Sequence, residues 1–352
     1  QGMSAIDPAS ANIVRLTGPI FNPGEYELKR FSDAGLKPRL VGGVDPADLA
    51  QGVKDADVIV VVGTKIPASV VDAMVRCRAI ARFGTGTDKI DVAHATELGI
   101  PVVNTPFFCI EEMADHVMAM LLSLSRNLRG AQRAFEAGDM VGARRGHGPM
   151  VRVSHTTLGL VGFGRSAVHT ARRARGFGMR VLATRQNKNA PTTEADALGV
   201  IMTDLDTVLR ESDHISLHIP LTPATYHLID DAAIRKMKPT AVVINTSRGS
   251  LIDEIALAAA IREGRLAGAG IDTHGLFDVF TDKMPPMAHP LMGLDNVLIT
   301  PHTAGGSIQA GQDMMDVGVQ NVIDILEGRW PPPENIVNPT VIPRFGLTRS
   351  SS

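Results

Sequence analysis

The sequence predicts an α/β protein of two units, each a parallel β-sheet covered by helices on both faces. Short Val/Ile/Leu runs alternate with longer helical patterns through most of the chain, and strands such as Asp57–Val62 (DVIVVV) carry apolar residues along both faces. A strand exposed on one side alternates polar and apolar positions, whereas a continuous apolar run needs cover on both sides, which helical crossovers supply. Length agrees, since 352 residues correspond to about two domains of ordinary size.

Asn12–Thr17 opens the strand series, followed by Asp57–Val62 and Ala79–Phe83. A glycine turn then leads to a helix near Asp91–Leu98, and a long helix rich in Met, Leu and Ala is read over Glu111–Arg126. After a looser Gly/Arg segment, Gly138–Met150, the pattern restarts with strand Thr157–Val161, a glycine turn, a helix through Arg175 and strand Met179–Thr184. Further strands are expected at His214–Leu217, Ala241–Asn245, Ala267–Ile271 and Val297–Ile299, and no repeat or low-complexity tract precedes the Pro-rich stretch Trp330–Pro333.

Composition narrows the function classes. A net charge of -2 gives no electrostatic case for nucleic acid or an anionic membrane, and one Trp with two Tyr offers no platform for base stacking. The basic group Arg144, Arg145, His147 and Arg152 reads as a solvated loop or a subunit contact. Cys77 and Cys109 are too few and too isolated for a disulfide framework or a thiolate metal site, so a reduced, cytoplasmic chain without a metal is expected. No apolar run approaches the ~20 residues that cross a bilayer. The leading Gln1-Gly2-Met3 reads as a remnant ahead of a native start, not as a signal peptide.

The sharpest local signal is Gly159-Leu160-Val161-Gly162-Phe163-Gly164-Arg165-Ser166-Ala167, which follows an expected strand and opens an expected helix. In a G-x-G-x-x-[GA] fingerprint the first glycine permits the tight turn, here Gly162. Gly164 lets the backbone approach a pyrophosphate, and Ala167 allows close helix–strand packing. The diphosphate would rest on N–H groups at the helix start, including those of Arg165 and Ser166. The next strand should end in an acid that holds the adenosine ribose, but Arg185 stands there, with Lys188 close behind. An arginine cannot accept hydrogen bonds from a diol and pairs well with a 2′-phosphate, so NADP is expected over NAD, with NAD still possible.

Three more segments fall at strand ends: Phe83-Gly84-Thr85-Gly86-Thr87-Asp88, Ile244-Asn245-Thr246-Ser247-Arg248-Gly249, and Thr300-Pro301-His302-Thr303-Ala304-Gly305-Gly306. The amides of the first can hold a carboxylate. Arg248 offers a planar fork able to contact both a carboxylate and an adjacent carbonyl, and imidazole, titrating near neutrality, lets His302 donate a proton. Alone, Arg248 reads as a surface ion-pair residue and His302 as a structural histidine. Their weight comes from both standing at carboxyl ends of strands beside a dinucleotide site.

At this point the sequence resembles the D-isomer-specific 2-hydroxyacid dehydrogenase family, which includes glyoxylate/hydroxypyruvate reductases. The resemblance runs from about Asp57 to Pro339. It rests on FGTGTDKIDVAHATELGIPVVNTP, TLGLVGFGRSAVHTARRARGFGMRVLA, HIPLTPAT, KMKPTAVVINTSRGSLIDEIAL, GRLAGAGID and NVLITPHTAGGS in that order. It implies two Rossmann-like/flavodoxin-like domains with a cleft between them. Residues 1–105 and 303–352 would bind the substrate, and residues 106–302 would form the dinucleotide domain. It further implies a homodimer, Arg248 as the substrate-orienting arginine and His302 as general acid/base. Gly84, Thr85 and Gly86 would lie on the substrate side, with Thr85 also near the nicotinamide. Ile219, Ser247, Thr303, Ala304 and Gly305 would line the cofactor, and Asp272 would hold its carboxamide.

One segment departs from the family pattern. Members carry a glutamate, within a DVF-x-x-E-P pattern, that pairs with the histidine, yet Gly270–Pro285 contains no Glu. Counting from Arg248 puts Phe277 at its position, and counting back from His289-Pro290-Leu291 puts Lys283 there. Asp282 is the nearest substitute, Asp278 the second, and the Thr273–Phe277 insertion is expected to alter substrate choice. The leading expectation is an NADP(H)-dependent reductase of glyoxylate, hydroxypyruvate or a similar short 2-oxo acid. A sugar-acid dehydrogenase and a non-catalytic dinucleotide sensor on the same fold are the alternatives.

Overall fold

The computed structural model describes residues 5–7, 10–145, 150–280 and 289–348. These divide into two units, one of residues 5–7, 10–109, 280 and 307–348, the other of 110–145, 150–279 and 289–306. In the first, strands and helices alternate as β1 (Ile13–Leu16), α1 (Glu25–Asp33), β2 (Arg39–Val41), α2 (Pro46–Val53) and β3 (Val58–Val61). The series continues with α3 (Ala68–Asp72), β4 (Ala79–Arg82), α4 (Val92–Glu97) and β5 (Val102–Val103). Every strand pair is parallel, in the order β2-β1-β3-β4-β5, the flavodoxin-like order. All four residues of β3 are buried, as its unbroken apolar run requires, whereas the edge strand β2 leaves Arg39 and Leu40 exposed.

The interior strand β1 holds a buried charge. Arg15 sits in it with its side chain 1% exposed, paired at 2.6 Å with the equally buried Glu27 of α1. Such a pair is tolerated because each partner neutralises the other out of water; removing one would strand the other.

The second unit begins with α5 (Ile110–Ser125), α6 (Leu128–Glu136) and α7 (Met140–Arg145). It continues through β6 (Thr157–Val161), α8 (Arg165–Gly176), β7 (Arg180–Thr184), α9 (Thr193–Leu198), β8 (Ile201–Met202), α10 (Leu205–Glu211) and β9 (His214–Leu217). Then come α11 (Asp231–Ile234), β10 (Val242–Asn245), α12 (Glu254–Arg262), β11 (Gly268–Ile271) and β12 (Val297–Ile299). The sheet order is β12-β11-β10-β9-β6-β7-β8, parallel throughout. Strand order therefore reverses between β6 and β9, the switch point at which doubly wound sheets bind ligands beyond their carboxyl ends. One core, with Leu158, Leu160 and Val181, packs under α5 and α8; another, with Ile215, Val243 and Ile271, packs under α11 and α12. The chain then returns to the first unit with α13 (Ile308–Leu326), whose Val319, Val322 and Ile325 pack with Phe31 and Phe83. No helix among the described residues is long and apolar enough to cross a membrane.

Candidate active site

The fingerprint turn lies at the switch point, after β6. Gly162 adopts φ +98, and a Cβ there would stand 2.4 Å from the His218 carbonyl and 2.7 Å from Ile219 Cγ2, so no side chain fits. A Cβ on Gly164 would meet nothing within 4 Å, and the side chains give the N-terminus of α8 no capping hydrogen bond. A helix start opening from a glycine cradle, with Arg165 exposed and Ser166 half-buried in its first turn, fits the diphosphate of a dinucleotide.

His218, just past β9, braces this turn and escaped the reading of the sequence. Its Nδ1 lies 3.1 Å from Ser166 Oγ and its Nε2 3.0 Å from Ser216 Oγ. Burial pushes its pKa down to about 4, so the ring is neutral near pH 7 and donates at one nitrogen while accepting at the other. It thereby ties the first turn of α8 to the neighbouring strand. HIPLTPAT marked the segment, but not the two serines that the histidine joins.

Arg185 follows β7 directly. Its Nη2 donates to the Pro191 carbonyl at 3.0 Å and also to that of Ala190, which closes the turn over residues 187–191.

The reacting groups expected from the sequence stand at one edge of the same sheet. Asn245, Ile271 and Ile299 are aligned across β10, β11 and β12. Arg248 follows the first by three positions, Asp272 the second by one, and His302 the third by three. The Arg248 turn is shaped locally: Asn245 Nδ2 donates to the Arg248 carbonyl at 2.8 Å, and Ser247 Oγ donates to the Leu217 carbonyl at 2.7 Å. Gly249 must lack a side chain, because a Cβ would lie 2.0 Å from the His274 backbone.

The His302 turn is built on Asp272. The Asp272 side chain is 1% exposed, and its Oδ1 accepts from Thr300 Oγ1 at 2.5 Å and the Thr303 amide at 2.8 Å. Oδ2 accepts from the Ala304 amide at 3.0 Å, and the Asp272 carbonyl accepts from the His302 amide at 2.8 Å. His302 itself has φ +58, a left-handed conformation costing a non-glycine residue of order 1–3 kcal/mol. The anchored carboxylate over-determines the turn and holds the exposed imidazole in that conformation. His116 of α5 completes the network with Nε2 3.1 Å from Thr300 Oγ1; nothing in its helical context marked it beforehand. The Asp272 carboxylate thus faces its own loop, and Gly305 follows as a half-buried part of the same turn.

In the first unit, Gly84 has φ +127 and its amide donates to Thr105 Oγ1 at 2.7 Å. Arg82 Nε donates to the Gly86 carbonyl at 2.8 Å, and Asn104 Nδ2 to that of Thr85 at 2.8 Å, so the turn is braced from below. Asp282, expected as the partner of His302, lies outside the described residues, and Asp278 is exposed. Phe277, at the glutamate position by one count, stacks on His274 with ring centroids 4.4 Å apart. A pocket of about 520 Å³ is lined by His116, Met120, Arg129, Leu291 and Thr300, but not by Arg248 or His302.

The chain is similar to known proteins over most of its length. Residues 118–304 match the NAD binding domain of the D-isomer specific 2-hydroxyacid dehydrogenases. The chain is 38% identical over 299 residues to the glyoxylate reductase of Korarchaeum cryptofilum, covering 84% of this chain and 86% of the relative. With the glyoxylate reductase of Thermococcus litoralis it shares 35% over 322 residues, 90% and 92% of the two chains. The D-lactate dehydrogenase of Aquifex aeolicus, solved with NAD and lactic acid, superimposes with a TM-score of 0.81 at 26% identity, covering 93% of this chain and 99% of that one. The chain belongs to the D-isomer-specific 2-hydroxyacid dehydrogenase family and is an NAD(P)-dependent 2-hydroxyacid dehydrogenase.

Proposed function

We propose that the chain reduces a short 2-oxo acid, glyoxylate or hydroxypyruvate, with NADPH in preference to NADH. The observation that carries this reading is the alignment of Arg248 and His302 on either side of Asp272 at the carboxyl ends of β10–β12. The Arg248 fork binds the substrate carboxylate and polarises the neighbouring carbonyl. His302, fixed by the Asp272 turn, holds the proton that the developing alkoxide takes. When bound, the nicotinamide cofactor supplies the hydride.

Preference for NADPH rests on Arg185, which stands at the ribose end of β7 with no acid in place. It is positioned over the turn it closes, where a 2′-phosphate would find a guanidinium. Two copies pairing through the second unit would cover Leu128, Phe135, Met140 and Val141, which α6 and α7 leave between 48% and 68% exposed.

The test is NADPH and NADH oxidation with glyoxylate and hydroxypyruvate, for the wild type, His302→Ala, Arg248→Ala and Arg185→Asp. Turnover that prefers NADPH, falls by roughly 10²–10⁴ in the first two variants and shifts toward NADH in the third supports the reading. Equal efficiency with both cofactors refutes the role of Arg185. NADPH binding without turnover on either acid refutes the substrate assignment and favours a dinucleotide sensor.

A further inference from the structure

Glu254, His274 and His289 each offer one ligand atom, and these atoms lie within 4.8 Å of one another. None of the three has a part in the reaction proposed above. The Glu254 side chain, at the start of α12, is 2% exposed and that of His289 is 1%. Glu254 Oε1 accepts from the Gly275 amide at 3.2 Å, and Oε2 lies 3.3 Å from His289 Nε2. Because His289 Nδ1 accepts from the Leu291 amide at 3.3 Å, its Nε2 carries the proton and points it at the carboxylate.

His274 is the odd member. Its Nε2 lies 3.0 Å from the Thr300 carbonyl, which can only accept, so Nε2 carries a proton. The other nitrogen, Nδ1, is buried and has no hydrogen-bond partner. Phe277 stacks on the ring with centroids 4.4 Å apart. A buried lone pair beside a carboxylate and a second imidazole calls for a positive charge among them. A bound cation would supply that charge.

The geometry points to a divalent transition-metal site formed by Glu254, His274 and His289, of a kind that Zn²⁺ would fill. Tetrahedral zinc takes imidazole nitrogen and carboxylate oxygen at about 2.0–2.2 Å, which separates ligand atoms by roughly 3.3 Å. The Glu254–His289 edge already has that length at 3.3 Å, and a short movement of His274 closes the other two. The His274 contact to the Thr300 carbonyl is the outer hydrogen bond that metal-bound imidazoles ordinarily make. His289 must move its proton from Nε2 to Nδ1, which forfeits only the long bond from Leu291. Two imidazoles with one carboxylate select Zn²⁺, Co²⁺ or Ni²⁺ over Mg²⁺ or Ca²⁺, which favour all-oxygen sets. An ion there would join the start of α12 to the segment after β11. That segment packs against Gly249 and holds the Thr300 carbonyl, so the ion would brace both the Arg248 and His302 turns.

The test uses chelator-stripped full-length protein, titrated calorimetrically with Zn²⁺ and, for contrast, Mg²⁺; Co²⁺ serves as a spectroscopic probe. Wild type is expected to bind one more Zn²⁺ per chain than His274→Gln, with at least a roughly 100-fold loss of affinity in the variant, and no response to Mg²⁺. Co²⁺ should give the intense visible absorption of a tetrahedral site in the wild type only. Circular dichroism verifies the fold of His274→Gln, whose ring is half-buried, and His289→Gln provides a second ligand deletion. Equal Zn²⁺ stoichiometry and affinity in the wild type and a folded His274→Gln would mean binding through surface histidines only. That result, or a Co²⁺ spectrum without tetrahedral intensity, overturns the proposal.

Discussion

Replacing Asp272 by asparagine isolates the one group on which the His302 turn depends. The two side chains have the same shape, but an amide presents one acceptor oxygen where the carboxylate presents two. Oδ1 takes two donors and Oδ2 takes one. The least costly orientation of the asparagine keeps the oxygen at Oδ1 and turns its NH₂ toward the Ala304 amide. One charge-assisted bond is then lost, worth about 1.5–3 kcal/mol, and a buried N–H is left facing another donor. A total cost of about 2–4 kcal/mol follows, which for a domain of this size lowers Tm by roughly 4–16 °C. Activity should suffer more than binding, because the amides that fix the backbone around His302, at φ +58, are the ones disturbed. We expect kcat to fall by about 10²-fold with NADPH affinity changed by less than about threefold. Thr300→Val, which removes one donor to Asp272 and the partner of His116 Nε2, should cost about 1–2 kcal/mol, so the pair forms a graded series. Differential scanning calorimetry and steady-state kinetics on both variants read these quantities. If Asp272→Asn lies within about 0.5 kcal/mol of the wild type and keeps its kcat, the turn does not depend on this carboxylate and the argument fails.

Two further expectations concern the rest of the molecule. His214 is buried in β9 with its pKa lowered to about 4 by desolvation, against 6.5 for a free imidazole. Between those values the unfolded chain binds a proton that the folded chain refuses, so the contribution of His214, like that of His218 with the same lowered pKa, is constant above pH 6.5 and falls as the pH drops. The gap corresponds to about 3 kcal/mol lost by pH 4. Urea unfolding at pH 7 and pH 4.5 should show that loss in the wild type and a shallower one in His214→Gln; identical slopes would rule His214 out as its source. For self-association, Phe135→Glu combined with Val141→Glu places two charges on the exposed apolar side of α6 and α7. Light scattering should find a dimer in the wild type and a monomer in the double variant, and an unchanged dimer would place the interface elsewhere.

The sheets could be read in advance because their information is local. An unbroken apolar run such as Val58–Val61, or a glycine turn between strand and helix, carries its structural meaning within a dozen residues. The strand-end positions of Arg248 and His302 were legible for the same reason, since each follows a recognisable strand by a fixed count. What escaped depends on distant partners. Arg15 breaks an apolar strand and makes sense only with Glu27 beside it; the His116–Thr300 contact spans 184 positions in the chain. The Thr273–Phe277 segment shows why a count along the sequence cannot settle a departure from a family pattern. Phe277 falls at the glutamate's place by one of two counts, but its ring stacks on His274 at 4.4 Å and meets His289 edge-on at 5.0 Å. The segment that lacks the family glutamate thus supplies His274 to a group with Glu254 and His289. A sequence that breaks a local rule at such a point is often satisfying a spatial one. The Zn²⁺ titration and the Asp272→Asn kinetics bear on this directly. If the group braces the His302 turn, the penalty of Asp272→Asn should shrink when Zn²⁺ is added, and a penalty unaffected by the ion would separate the two features.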